Sequence, residues 1–416
     1  MLTHLALAGS LFTVDADPAA GADFTTLQDA FLLVPEGSTL LVASGDYAAF
    51  DLDNRDLAIV AEPGADVRIL GGSVVRNLAR GQELCLRGLE FVAEGEHALR
   101  VLDAYGRLWL EQCTLRAAPE AGGPGDIHSG LYASLADDLR LIGCELYGAR
   151  GTDELPSACA TQGGAALRLE QGELLLVDCE LEGGDAGHAL GPFCLDALDG
   201  AAALSLSASS ARIWGSRLQA GAGGDAQSID TPFGPSCGQA GDGGSALWIA
   251  PSPAPERVEL WSSDLLAGSG GQAAPHPDCA ALSGSAGLPI EGLPTDLLSE
   301  IQAPLRLHWT ESPVQEGASA ALHLQTQAGD LGLIALGTPT QGYELAGTAG
   351  QLHLAPGFLT VFVAPLTPGG TQTFSLPIPP QAAGFGTARA YSQGAVLSSQ
   401  LELFLLAPAT LIVIDG

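Results

Sequence analysis

The sequence predicts an all-β chain, a solenoid of short stacked strands followed by a second β module. Three observations carry this. A motif Leu-x-Leu-x-x-Cys-x-Leu returns between residues 84 and 265. A second motif, Gly-x-Ala-Leu, alternates with it. The composition combines 55 Gly and 26 Pro with only 15% charged residues, which favours tight corners over helices.

The first motif reads Leu108-Trp-Leu-Glu-Gln-Cys113-Thr-Leu115, then Leu139-Arg-Leu-Ile-Gly-Cys144-Glu-Leu146, then Leu174-Leu-Leu-Val-Asp-Cys179-Glu-Leu181. Looser copies are Leu84-Cys-Leu-Arg-Gly-Leu89-Glu-Phe91, Ala211-Arg-Ile-Trp-Gly-Ser216-Arg-Leu218 and Val258-Glu-Leu-Trp-Ser-Ser263-Asp-Leu265. Alternation in Leu-x-Leu puts both leucines on one face of a strand. The two residues that follow form a bend, and Cys-x-Leu resumes on a second short strand. Stacking the copies predicts one interior column of Leu89, Cys113, Cys144, Cys179, Ser216 and Ser263.

The second motif supplies a third strand per repeat, with Leu99, Leu131, Leu167, Leu204 and Leu247 turned inward. The repeats lengthen from about 24 to 47 residues, and they do so after Cys-x-Leu. Period-2 alternation excludes a helical solenoid. A β-propeller would need a fourth strand per blade and a more uniform repeat.

The opening segment, from Asp23-Phe-Thr-Thr-Leu-Gln-Asp-Ala-Phe to Ser44-Gly-Asp-Tyr47, resembles the start of the pectin lyase-like right-handed parallel β-helix superfamily. The resemblance covers residues 11–290. It implies a capping helix at about 26–34, in which Thr26 and Asp29 form the cap and Leu27, Ala30, Phe31 and Val34 close the end of the solenoid. The fold expected is therefore all-β, with a right-handed parallel β-helix and N-terminal capping helix over 1–290. Pro289, Pro294, Pro304 and Pro313 mark a linker, and short alternating runs between Ala318 and Leu405 predict a C-terminal β-sandwich over 291–416. That module loosely resembles C-terminal modules of large secreted bacterial proteins.

In the resembled superfamily, ligands bind along the outer face of the strand after the long loops. Here that strand is Gly-x-Ala-Leu, and its outward column reads Arg100, Tyr132, Arg168, Ser205 and Trp248. Aromatic rings stack on sugar faces and guanidinium forks bind carboxylates or hydroxyls, so the expected partner is a polysaccharide or cell-surface glycan. The plainer reading is an ordinary solvated exterior. No catalytic residue is assigned. The paired carboxylates of a glycosidase are missing, and Glu170 shares a face with Arg168 without a stacked partner acid. The expectation is a non-catalytic secreted or cell-surface protein with a structural or glycan-binding role. The alternatives are a polysaccharide lyase or hydrolase, and a self-assembling filament or surface-layer subunit joined through Leu5–Val14 and Leu411–Ile414.

The formal charge of −32 argues against nucleic acid and anionic lipid as partners. No apolar run is long enough to span a membrane. Any export signal is expected upstream of Leu11–Val14, which reads as a first strand. Neither cofactor nor metal is expected. Ala220-Gly-Ala-Gly-Gly-Asp225 approaches a Ca²⁺-binding nonapeptide, but Ala220 replaces a glycine and glycine-rich turns explain it better. The eight histidines share no ladder. Glu145, Glu180 and Arg217 form an outward column, read as structural pairing. Trp214 and Trp261 occupy equivalent positions, read as packing.

The eight cysteines, without a CxxC, suggest an oxidising compartment. Cys159 and Cys194 each lie 15 residues beyond an interior cysteine. This predicts loop disulfides Cys159–Cys194 and Cys237–Cys279, with Cys194–Cys237 as the competing pairing. Cys85 occupies an outward position and is read as a free thiol.

Overall fold

A computed structural model describes residues 10–118, 127–153, 159–189, 196–231, 234–251, 257–261, 263–274 and 282–292 and, beyond 297, the strands named below. The described chain is mostly β, with one helix, and its strands up to Ile301 form two parallel sheets, apart from an antiparallel pair of Ile229–Thr231 with Gly234–Ser236.

The repeats stack in the register that the motif implies. Leu84, Leu108, Leu139, Leu174, Ala211 and Val258 are successive partners in one sheet. In the second sheet, Glu90, Thr114, Glu145, Glu180, Arg217 and Asp264 pair in turn. The residues just before them, from Leu89 to Ser263, therefore share one column. Cys113, Cys144 and Cys179 are at most 3% exposed. Each thiol donates to a carbonyl of the preceding pass: Cys113 to Leu86, Cys144 to Leu110, Cys179 to Leu141. Ser263 does the same to Ile213. From Cys113 onward the column carries a small side chain with a donor, and serine takes the place of cysteine in the later copies. Burial pushes the Cys144 thiol up.

In three repeats, two of the three strands expected are continuous. Leu99–Glu111, Leu131–Ile142 and Leu167–Val177 each join a Gly-x-Ala-Leu strand to the following Leu-x-Leu strand. One left-handed residue turns the chain inside each of them: Asp103, Leu135 or Gln171. A register shift follows in the first two, so the ladder bends without breaking. The bend before Cys-x-Leu is also left-handed, at Gln112, Gly143, Asp178 and Gly215 in successive copies.

The helix spans Leu27–Leu33. Thr26 caps it, accepting from the Asp29 N–H at 3.1 Å and donating to the Asp29 carboxylate at 2.7 Å. Leu27, Ala30, Phe31 and Val34 are buried against the end of the stack.

The parallel stack continues past residue 290. Trp248 pairs with Glu291, and Val258–Trp261 pairs with Leu298–Ile301. This last pass carries Leu298-Ser-Glu-Ile301 in place of Leu-x-Leu, so the motif fades before the ladder does. Beyond it lie a three-stranded antiparallel sheet of Arg306–Trp309, Ser319–Gln325 and Thr371–Pro377, and a six-stranded sheet that includes Leu331–Gly337, Thr387–Leu397 and Leu403–Ile414. Leu411–Ile414, expected as an edge for pairing between chains, is not a free edge. Val413 and Ile414 bridge Val314–Gln315 on one side and Thr387–Ala388 on the other. Leu11–Val14 pairs with Thr39–Val42, and residues 1–9 lie outside the described residues.

Of the positions between the leucines, Cys85 was read as outward. Cys85, Trp109, Arg140, Leu175 and Glu259 at these positions are buried, and Arg212 is partly so. Ala58, Val60, Cys85 and Trp109 form a second apolar cluster against which Ala335, from the C-terminal half, packs. Cys85 is a thiol, but it is 2% exposed. Charges accompany this cluster. Arg87 and Glu111 pair at 2.7 Å, both nearly solvent-free. Arg140 lies over the Trp109 ring and pairs with Asp138 at 2.6 Å, and Arg107 reaches the same carboxylate at 2.9 Å.

Burial alone would raise the Asp138 carboxyl, but Arg140 and Arg107 outweigh it and hold it at about 2 against an ordinary 3.8. A depressed folded value gives stabilisation that is complete above the unfolded value near 4 and lost as pH falls towards 2. We expect the wild type to lose about 2 kcal/mol more than Asp138→Asn between pH 5 and pH 2. Denaturant midpoints measured at both pH values check this, and parallel losses would contradict it.

Candidate ligand groove

The outward column assembles as the sequence implies. Arg100, Tyr132, Arg168, Ser205 and Trp248 are successive register partners. Glu291, which sequence reasoning missed, follows Trp248 as the next member. The leucines beside them are fully buried, as are Ala98, Ala166, Ala203 and Ala246.

Arg168, Ser205, Trp248 and Glu291 floor a cleft of about 540 Å³. Trp248 is 37% exposed, and Ile127 and Leu288 add exposed apolar surface to the walls. Arg168 is held by Glu170 at 2.6 Å, and the Tyr132 hydroxyl donates to the same carboxylate at 3.0 Å. Glu170 therefore orients two column members.

The histidines were expected to be scattered, but His97 and His128 come together beside this column, with ring centroids 5.6 Å apart. His97 stacks on Tyr132 at 5.1 Å, and its Nδ1 accepts from the Ser129 N–H. Burial, then the neighbouring His128 and Arg100, lower the His97 value to about 4. It is a neutral acceptor near pH 7. The pair was missed because the two residues occupy different offsets from the following leucine, Leu99 or Leu131.

One wall consists of the lengthened segments, expected as glycine-rich turns. They are extended chains hydrogen-bonded to one another. Gly183, Ala186 and Ala189 donate to Gln219, Ala222 and Asp225, whereas Gly184 and Gly187 donate to Gly164 and Thr161 in the opposite sense. The three-residue step is that of an extended threefold chain, in which successive N–H groups point in different directions. A relay runs through the layer: Gly184 to Gly164, Ala201 to Gly184, Gly221 to Ala201, Gly244 to Gly221, Gly268 to Gly244. The chains approach so closely that a Cβ on Gly184, Gly221 or Gly268 would overlap a neighbouring carbonyl.

Side chains complete this layer where backbone partners run out. The carboxylates of Asp185, Asp199, Asp225 and Asp242 accept the backbone N–H of Ala222, Asp242, Gln272 and Ser285, at 2.6–2.7 Å. Asp225 of the nonapeptide-like stretch thus has a structural partner. Among the described residues no cluster of His, Cys, Asp or Glu is arranged to hold a metal. The backbone N–H and the hydroxyl of Ser285 hold the Asp242 carboxyl below the ordinary range. Asp199 and Asp242, which the sequence reading also missed, line the cleft. Asp-Gly before Ala-Ala-Ala-Leu204 and again before Gly-Ser-Ala-Leu247 was the available signal.

In the other outward column, Arg217 bonds Gln219, while Arg116 approaches both Glu145 and Glu90. Glu145 is thus offset from the opposite neighbour to the one expected. Trp214 is 4% exposed and pairs in register with Val177 and Trp261. Cys159 and Cys237 are disulfide-bonded, whereas Cys194 and Cys279 lie outside the described residues.

No family model and no curated protein matches the chain. Among solved structures, Geobacillus virus E2 ORF18 is 10% identical with a TM-score of 0.21, over 93% of this chain and 73% of that one. A likeness this slight carries no argument about fold or function.

Proposed function

We propose that the chain is a secreted or cell-surface, non-catalytic right-handed parallel β-helix of the pectin lyase-like kind, with a C-terminal β-sandwich, and that it binds glycan along the Arg100–Trp248 column. The observation that carries this is Trp248, a half-exposed indole on the floor of a cleft, in register with Ser205 and Arg168. An aromatic face beside hydroxyl and guanidinium donors suits a sugar ring. The β-helix assignment draws support from the two parallel sheets, whose partners recur once per repeat, and from the capping helix over one end.

Glycan-array binding tests this reading. Trp248→Ala should weaken retention about tenfold, equal to ~1.4 kcal/mol. Undiminished binding would move the ligand elsewhere. The loop disulfides are proposed as Cys159–Cys194 and Cys237–Cys279, in keeping with an oxidising compartment. Peptide mapping without reductant should recover those two links, and a Cys194–Cys237 link would refute the pairing.

A further inference from the structure

We infer that the groove selects uncharged glycans and discriminates against polyuronates. This deepens the glycan-binding reading and rests on it. The argument is the charge balance around Trp248. Three carboxylates, Asp199, Asp242 and Glu291, line the cleft, with Arg168 among them as a cation. That guanidinium is already neutralised by Glu170 at 2.6 Å. An incoming carboxylate therefore meets three like charges and a cation already engaged by an acid, within a chain of formal charge −32.

The remaining surface suits a neutral sugar. Trp248, Ile127 and Leu288 offer apolar faces, and Ser205 a hydroxyl. Ser245 donates to Glu291 at 2.6 Å, and Ser285 to Asp242 at 2.9 Å, so one carboxylate is held on the floor and one on the wall. Arg168 and Trp248 lie two register steps apart, a span of about 10 Å at strand spacing. Glu291 is the immediate register partner of Trp248, so a carboxylate residue stands one strand from the ring and the cation two.

The test measures binding of a neutral oligoglucan and an oligogalacturonate of equal length by calorimetry at low and high salt. The wild type should bind the neutral chain at least tenfold more tightly, with the gap shrinking in high salt. The triple variant Asp199→Asn, Asp242→Asn, Glu291→Gln keeps an acceptor oxygen at each site and removes the charge. Whatever it loses in overall affinity, its preference for the neutral chain over the uronate should fall about tenfold. Uronate binding equal to or tighter than neutral binding overturns the inference while leaving the groove reading standing, provided that Trp248→Ala weakens that binding about tenfold. Absence of binding by either glycan overturns the groove reading and the inference together. An unchanged ratio of neutral to uronate affinity in the triple variant overturns the electrostatic argument alone.

Discussion

Gly221→Val is expected to destabilise the protein by at least about 3 kcal/mol, the upper part of the range for overpacking a close-packed site. A Cβ at Gly221 would overlap the Gly184 carbonyl. That carbonyl accepts from Ala201, whose own carbonyl accepts from Gly221. No flexible side chain can yield there, because the obstruction is backbone on the neighbouring chain. Relief requires the layer to separate, and separation breaks the relay on both sides. Gly64→Ala is the control: nothing lies within 4 Å, and only its left-handed backbone, with φ +77, resists the change. That variant should cost about 1–2 kcal/mol. Denaturant midpoints at constant slope compare the two. A Gly221→Val variant no less stable than Gly64→Ala would mean that the glycine segments do not pack as closely as described.

The second large effect lies on the covered outer face. Arg87→Ala leaves the Glu111 carboxylate in a site where both partners were almost solvent-free. Losing one member of a buried pair typically costs about 3–5 kcal/mol. Replacing both members with apolar residues of similar volume, Arg87→Met with Glu111→Leu, should return stability to within about 1 kcal/mol of the wild type or better. The same midpoints measure both variants. If the single and double variants are equally destabilised, the pair contributes through packing rather than charge.

Much of the stack was legible in the sequence because an interior column admits few residue types. Leucine at 108, 139 and 174 and cysteine at 113, 144 and 179 repeat one geometry, and the register follows from them. The capping helix was legible to within one residue, through Thr26, Asp29 and the apolar spacing. The outer face was not. Trp109, Arg140 and Arg87 occupy the alternate positions, and alternation shows only that they face away from the leucines, not whether something covers them. The glycine layer was missed for a related reason. Its period of three leaves no side-chain pattern to read, so extended chains and turns look alike. The floor of the groove followed from register as far as Trp248; Glu291 continues it on a strand that lacks the Ala-Leu motif, and Asp199 and Asp242 enter from segments whose course depends on that layer.

The sulfur atoms of the stack offer a way to watch the chain open. Cys85, Cys113, Cys144 and Cys179 are thiols, none more than 3% exposed. They are spread over four consecutive passes, so an alkylating reagent can modify each one only when its own rung has come apart. Resolved peptide by peptide, the order in which the four acquire label would map the sequence of unzipping along the axis, with no probe added to the molecule.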